Sequence, residues 1–351
     1  MLGLSAFACL KKNRIYAILL LAFLFVLLAF QYGNADYFSY ENMYTYFAGR
    51  NGMNTFSNIG YKWLCILFFE LGLSYDQFLI VEAILGLGII GYVVFKNCKL
   101  PGLVLVLYLI YPYMMDTVQV RNFLAEAVVL LGISLYINLP ALRGYIYMAV
   151  CLLTASLIHV SALVYLVFLL LPLMKTKHVK VLIVFGVLFE CVLMAYAKEI
   201  VQLLGMNEHV TGYFDKSISV YTTIFLIFYF SIAYVGINQM RRINPENEKY
   251  ARWNLIVNRV NVLILPFIPL CFITNDFQRI YRNVFLLSYI AVVNLYDAAR
   301  QHRVGFPRMK LETVLLIGTF GYAAVSSVIF VTSLYWDTVV LPLFENNTLF
   351  G

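Results

Sequence analysis

The stretch Thr154–Pro172, TASLIHVSALVYLVFLLLP, sets His159 in the middle of an otherwise apolar run. From Tyr145 to Met174 no other side chain carries a charge near neutral pH. An imidazole facing acyl chains is costly, so this ring should face something else. A single helix over these roughly 30 residues would be about 45 Å long, against about 30 Å of bilayer hydrocarbon. Arg143 precedes the run, and Lys175, Lys177 and Lys180 follow it. Basic flanks remain on the cytoplasmic side, so both ends belong on one face of the membrane. A helical hairpin over 144–174 satisfies that rule. Its halves of about 14–15 residues, roughly 22 Å each, meet at His159 in a shallow depression open to the outside.

Composition sets the wider frame. The chain has 351 residues, is 62% hydrophobic and only 12% charged, and has a mean hydropathy of +0.83. A water-soluble core of this length cannot hide so much apolar side chain, so the bilayer is the solvent. The net charge of +7 sits in short basic clusters between apolar runs, which is a topology signal and excludes nucleic acid as a partner. The six cysteines are scattered without a CxxC or Cys/His spacing, so neither structural disulfides nor zinc is expected. Lys11, Lys12 and Arg14 precede an apolar run with no nearby cleavage site, which reads as an uncleaved first span.

Other spans fall near 15–32, 76–95, 100–115, 120–138, 181–198, 220–239, 254–273, 279–298 and 311–331. Placing the basic clusters inside puts the amino end in the cytoplasm and 59–73 on the outer side. That segment lies between an outer loop and a span that must run inward to Lys96, so it reads as an interfacial or re-entrant helix. The expected fold is one all-α polytopic membrane domain over 1–351 with about 11 crossings. It has outer loops at 33–75 and 199–219 and an outer carboxyl tail at 332–351.

This topology gathers the costly polar residues at one face. The first outer loop carries Asp36, Tyr37, Tyr40, Glu41 and Tyr44; Asp116 and Arg121 mark a second outer turn. Arg279 and Arg282, three apart, share a helical face in a third. Arginine offers a planar donor fork suited to phosphate oxygens, and phenols suit sugars. Plainer readings stand beside these. Arg282 fits an interfacial anchor, His159 a helix-to-helix tie, Asp36 a helix cap, and Asp116 a structural partner of Arg121. Convergence at one face carries the functional reading.

The segments DYFSYENMY (36–44), GYKWLCILFFELGLSYDQF (60–78), VRNFLAEAVVLLGISLYI (120–137), ASLIHVSALVYLVF (155–168) and RIYRNVFLLSYIA (279–291), in this order, resemble the EpsG family. These are Wzy-like polymerases of bacterial exopolysaccharide and capsule. The most specific parts are Arg121–Ala125 and His159–Leu163. Asn122, where a longer polar residue such as Gln is usual, and the second arginine, Arg282, depart from the pattern. The resemblance implies a multi-pass glycosyltransferase of the bacterial cytoplasmic membrane. It would join polyprenyl-diphosphate-linked repeat units onto a growing glycan, beside a flippase and a chain-length regulator, and would use no cofactor. Arg121, Arg279 and Arg282 would hold the donor diphosphate, and Asp36 or His159 would serve the acceptor hydroxyl as base. Tyr37, Tyr40 and Tyr44 would contact sugars. A flippase would place polar groups through the midplane and carry internal repeats, and neither is evident. A ligase would want a larger late outer loop than 199–219.

Overall fold

A computed structural model describes residues 14–54, 57–174, 248–272, 275–301, 311–329 and 336–350, with isolated positions between 181 and 196. The spans expected at 181–198 and 220–239 and the loop at 199–219 lie outside the described residues or nearly so. Every described element is helical. The chain forms two compact units, Met1–Leu166 with Val292–Gly351, and Val167–Ala291.

The first unit begins with α1 (Arg14–Ala29), α2 (Tyr37–Ala48), α3 (Ile59–Glu70) and α4 (Tyr75–Asn97). Then come α5 (Pro101–Ile110), α6 (Tyr113–Val118), α7 (Val120–Asn138) and α8 (Ala141–Ile158). Among the described residues, α4, α7 and α8 are long and apolar enough to cross a membrane. The faces of these helices show which solvent they meet. On α8, Gly144, Met148, Leu152, Ala155 and Ile158 are buried, whereas Leu142, Ile146, Val150, Leu153 and Leu157 stand exposed. An apolar stripe of that length left uncovered matches acyl chains, since it would be a liability in water.

Local chemistry sets the helix ends. Ser74 starts α4 with a capping box: its Oγ accepts from the Gln77 amide at 3.3 Å, and the Gln77 Oε1 accepts from the Ser74 amide at 3.0 Å. The run expected to span 100–115 without interruption stops at Ile110, because Pro112 cannot continue the helix; six residues of α6 follow. α3 has 12 residues, about 18 Å, too short to cross about 30 Å of hydrocarbon. Trp63, Leu67 and Leu71 are exposed along it.

α8 closes at Ile158 and His159 takes an extended conformation (φ −139°, ψ 123°) before a 3-10 segment, Val160–Leu173. The regular helix therefore ends beside the histidine singled out in the sequence. α8 begins at Ala141, so the preceding half has 18 residues, about 27 Å.

The second unit contains α9 (Glu248–Ile264), α10 (Arg279–Arg282) and the start of α11 (Phe285–Gln301). Tyr281 donates its hydroxyl to the Ile264 carbonyl at 3.1 Å, and Asn261 donates to Ser288 at 3.1 Å. α12 (Leu311–Ser327) and α13 (Leu341–Glu345) return to the first unit. There Asn97, Ser134, Asn138 and Asn294 form a buried network with contacts of 2.8 Å, tying the ends of α4 and α7 to α11.

The carboxyl-terminal stretch packs back on the end of α1. The Ala35 amide donates to the Thr338 carbonyl at 2.9 Å, and the Thr348 amide to the Phe30 carbonyl at 2.8 Å. Asn347, fully buried, donates to the Val26 carbonyl at 3.2 Å. The turn leading into α2 is also fixed from inside. Gln31 and Asn34 both donate to the Thr117 carbonyl, at 2.7 and 3.0 Å. Either donor alone keeps that buried carbonyl satisfied. Replacing Gln31 with Leu should therefore cost less than about 1 kcal/mol, whereas Asn34→Leu, which also strips Gln31 Oε1 and the Asp36 amide of their partner, should cost about 1–3 kcal/mol, and the double change should not be the sum of the two. Thermal unfolding in detergent measures this, and strict additivity would show that the two donors do not share the role.

Candidate functional site

Four helices of the first unit bring polar groups together in an apolar surrounding. α2 contributes Tyr40 and Met43, α3 contributes Tyr61, Lys62 and Cys65, α4 contributes Glu82, and α7 contributes Arg121. The Arg121 guanidinium is central. Its carbon lies 5.6 Å from the Tyr61 ring centre and 6.0 Å from that of Tyr40, within reach of a cation–π attraction. One terminal nitrogen donates to the Met43 sulfur at 3.4 Å, and the buried Nε has no partner. A thioether is a weak acceptor, and among the described residues the fork meets no carboxylate or carbonyl oxygen at bonding distance. Such a guanidinium is ready for an oxyanion.

Glu82 is the residue that sequence reasoning missed. It sits in the second turn of α4, is 1% exposed, and neither carboxylate oxygen has a hydrogen-bond partner. A signal was available. Glu82 is the only charged side chain between Asp76 and Lys96 in a 23-residue apolar helix, the same anomaly that marked His159.

Close helix packing produces this meeting. Gly86 lies one turn beyond Glu82, and the Phe123 ring, two residues after Arg121, rests directly on it. A Cβ at Gly86 would stand 2.2 Å from that ring. α4 and α7 approach closely only because position 86 has no side chain.

Lys62 adds a second cation to the neighbourhood. It is 3% exposed, donates to the Gly52 carbonyl at 2.6 Å, and lies 5.6 Å from the Phe47 ring centre. Burial, and then the Arg121 charge, push its ammonium below the ordinary lysine range. Tyr40, Met43 and Phe47 follow helical spacing on α2, so the two cations meet one face of that helix. Burial raises the Tyr61 hydroxyl and the Cys65 thiol well above their usual values, which keeps both protonated.

The other expected residues fall around this cluster in different ways. Tyr37 and Tyr44 are buried in the wall behind Tyr40. The Tyr37 hydroxyl bonds to Asp76, and Tyr44 donates to the Leu73 carbonyl at 2.8 Å while stacking on Phe78 at 5.0 Å. Burial pushes the Tyr44 hydroxyl up to about 12. Asp36 is the N-cap residue of α2, but its side chain makes no capping bond there. Asp116 is fully buried and accepts from the Tyr108 hydroxyl at 2.9 Å.

His159 is 8% exposed, and its Nδ1 accepts from the Ser161 amide at 3.1 Å with the Ser161 hydroxyl at 2.7 Å. That leaves Nε2 to carry the ring proton. The Val160 amide donates to Asn58 Oδ1 at 2.8 Å, and Asn58 has a left-handed backbone (φ 54°) at the head of α3. The first turn of α3 thus serves both places, Asn58 at the His159 corner and Tyr61 at the Arg121 guanidinium. In the second unit, Arg279 and Arg282 share the single turn of α10, Arg282 buried and Arg279 half-buried.

Fold and site together define an all-helical membrane protein with an arginine-centred polar cluster built from four helices. The chain belongs to the EpsG family, whose model matches residues 14–334. No curated protein and no solved structure matches it.

Gly86→Ala tests the packing. Alanine in a helix interior gains about 0.8–1 kcal/mol over glycine, whereas overpacking costs about 1–3 kcal/mol. A contact as short as this one puts the balance on the unfavourable side. The variant should melt lower in detergent, and adding Phe123→Leu should recover much of the loss. A Gly86→Ala protein more stable than wild type would contradict the packing argument.

Proposed function

We propose that this protein is a polysaccharide polymerase, a membrane glycosyltransferase that joins polyprenyl-diphosphate-linked oligosaccharide repeat units at the outer face of the bacterial cytoplasmic membrane. Membership in the EpsG family supports the class. The observation that carries the chemistry is the Arg121 guanidinium, beside the Tyr40 and Tyr61 rings and without an oxygen acceptor among the described residues.

In this reading the acceptor hydroxyl attacks the anomeric carbon of the donor sugar. The bond from that carbon to the diphosphate breaks, and polyprenyl diphosphate leaves with the electron pair. Arg121 neutralises the charge that develops on the leaving diphosphate, and Arg279 and Arg282 serve the same anion. Tyr40 offers an aromatic face to the sugars, backed by Tyr37 and Tyr44. The acceptor proton passes to Asp36 or to His159. A ring whose Nδ1 accepts from the Ser161 amide carries its proton on Nε2, which suits His159 to donating a hydrogen bond and leaves Asp36 as the better base. The topology that goes with this function has about 11 crossings, the amino end in the cytoplasm, and the hairpin over 144–174 open to the outside. The growing glycan, a flippase and a chain-length regulator are the partners.

Alanine at Arg121 or at Arg279 should abolish polymer while single lipid-linked repeats accumulate in the cell. Arg121→Lys should also lose most polymer, because lysine keeps the charge without the planar fork. Glycan gel profiles with mass analysis of the lipid-linked pool measure both. Normal polymer length and yield in the alanine variants would overturn the assignment.

A further inference from the structure

Arg121 has a cationic neighbour, Lys62, that the chemistry above leaves without a task. The same pair of helices places both. On α2, Tyr40 and Met43 meet the Arg121 guanidinium, and Phe47, one turn further along the same face, meets the Lys62 ammonium at 5.6 Å. On α3, Tyr61 lies against the guanidinium at 5.6 Å, and Lys62 is the next residue. Two helices thus set the cations side by side on successive turns of α2, whose facing Cβ atoms lie about 5–6 Å apart. We propose that Lys62 is a second ligand of the donor diphosphate, taking one phosphoryl group while Arg121 takes the other, so that the pair selects a lipid diphosphate over a lipid monophosphate. The inference rests on the diphosphate reading of Arg121.

A purely structural role for Lys62 explains less. Its ammonium donates to the Gly52 carbonyl at 2.6 Å, and Gly52 has a left-handed backbone (φ 66°) in the connection between α2 and α3. A neutral donor could hold that carbonyl without the cost of a buried charge. Here the lysine is 3% exposed and shares its surroundings with a second cation, so each raises the cost of the other. One anion offsets both, and Arg121 has no oxygen acceptor among the described residues.

The two cations divide the work by shape. The guanidinium is planar and half-buried, and its fork suits two oxygens of one phosphoryl group. The ammonium is a point charge on a flexible stem, which attracts the second phosphoryl group without demanding a fixed geometry. A monophosphate has one phosphoryl group and engages one cation at a time. Breaking the bond to the anomeric carbon adds a negative charge to the diphosphate, and a site with two cations accommodates that charge better than a site with one.

The test titrates farnesyl diphosphate and farnesyl monophosphate, probes that share one chain, calorimetrically into the full-length protein in nanodiscs. Wild type should prefer the diphosphate by at least about tenfold, the scale of one charge-assisted contact. Equal affinity for the two probes overturns the proposal and needs no variant to fold. Lys62→Met should lose the preference, its diphosphate affinity falling about tenfold while monophosphate binding changes little. Lys62→Arg, which keeps the charge, should retain the preference. Equal weakening of both probes in Lys62→Met makes the lysine a structural support of the Gly52 turn and overturns the proposal, as does no change in either. Arg121→Met separates the two layers. If it binds both probes as wild type does, the diphosphate reading itself fails. If it loses both while Lys62→Met keeps the wild-type preference, only the role of Lys62 falls.

Discussion

A guanidinium set between two tyrosine rings, with a thioether sulfur as its acceptor, is the constraint around which the first unit is organised. Desolvating an arginine is costly, and ring faces and one sulfur offset that only in part. α2 and α3 supply the rings, and α7 supplies the arginine. α4 packs this closely on α7 only because Gly86 lets the Phe123 ring lie on its backbone.

The supports radiate from that point. Gln31 and Asn34 fix the entry to α2 on the Thr117 carbonyl, and the carboxyl-terminal stretch holds the same turn from the other side through Ala35. Asn58 links the head of α3 to the break after α8, so the His159 corner and the arginine site share one turn of one helix. At the other end of α4, the Asn97 network ties three helices where no charge is needed. These ties surround a guanidinium that has no oxygen acceptor among the described residues, an arrangement suited to an anion that arrives and leaves.

Much of this was legible in the sequence wherever burial makes a residue type expensive. Arg121 and His159 stood out because ionisable groups in apolar runs are costly, and helix α8 ends beside His159. Glu82 obeyed the same logic but lay inside a run whose length and flanks fitted an ordinary span, so the span reading absorbed it. Pro112 marked the break between α5 and α6, yet the apolar residues on both sides favoured one continuous helix. Other features depend on contacts distant in sequence and leave no local trace. The packing of Phe123 on Gly86, the engagement of Tyr37 by Asp76 and the docking of residues 336–350 on α1 are of this kind.

The proposed activity is the formation of glycosidic bonds from a lipid-diphosphate donor. The most direct test reconstitutes the purified protein in liposomes with lipid-linked repeat units on the accessible leaflet and nothing else. The expected result is a ladder of polymer with one polyprenyl diphosphate released for each bond formed. Repeat units that cross the bilayer, or remain where they were, without any polymer or diphosphate release would contradict it.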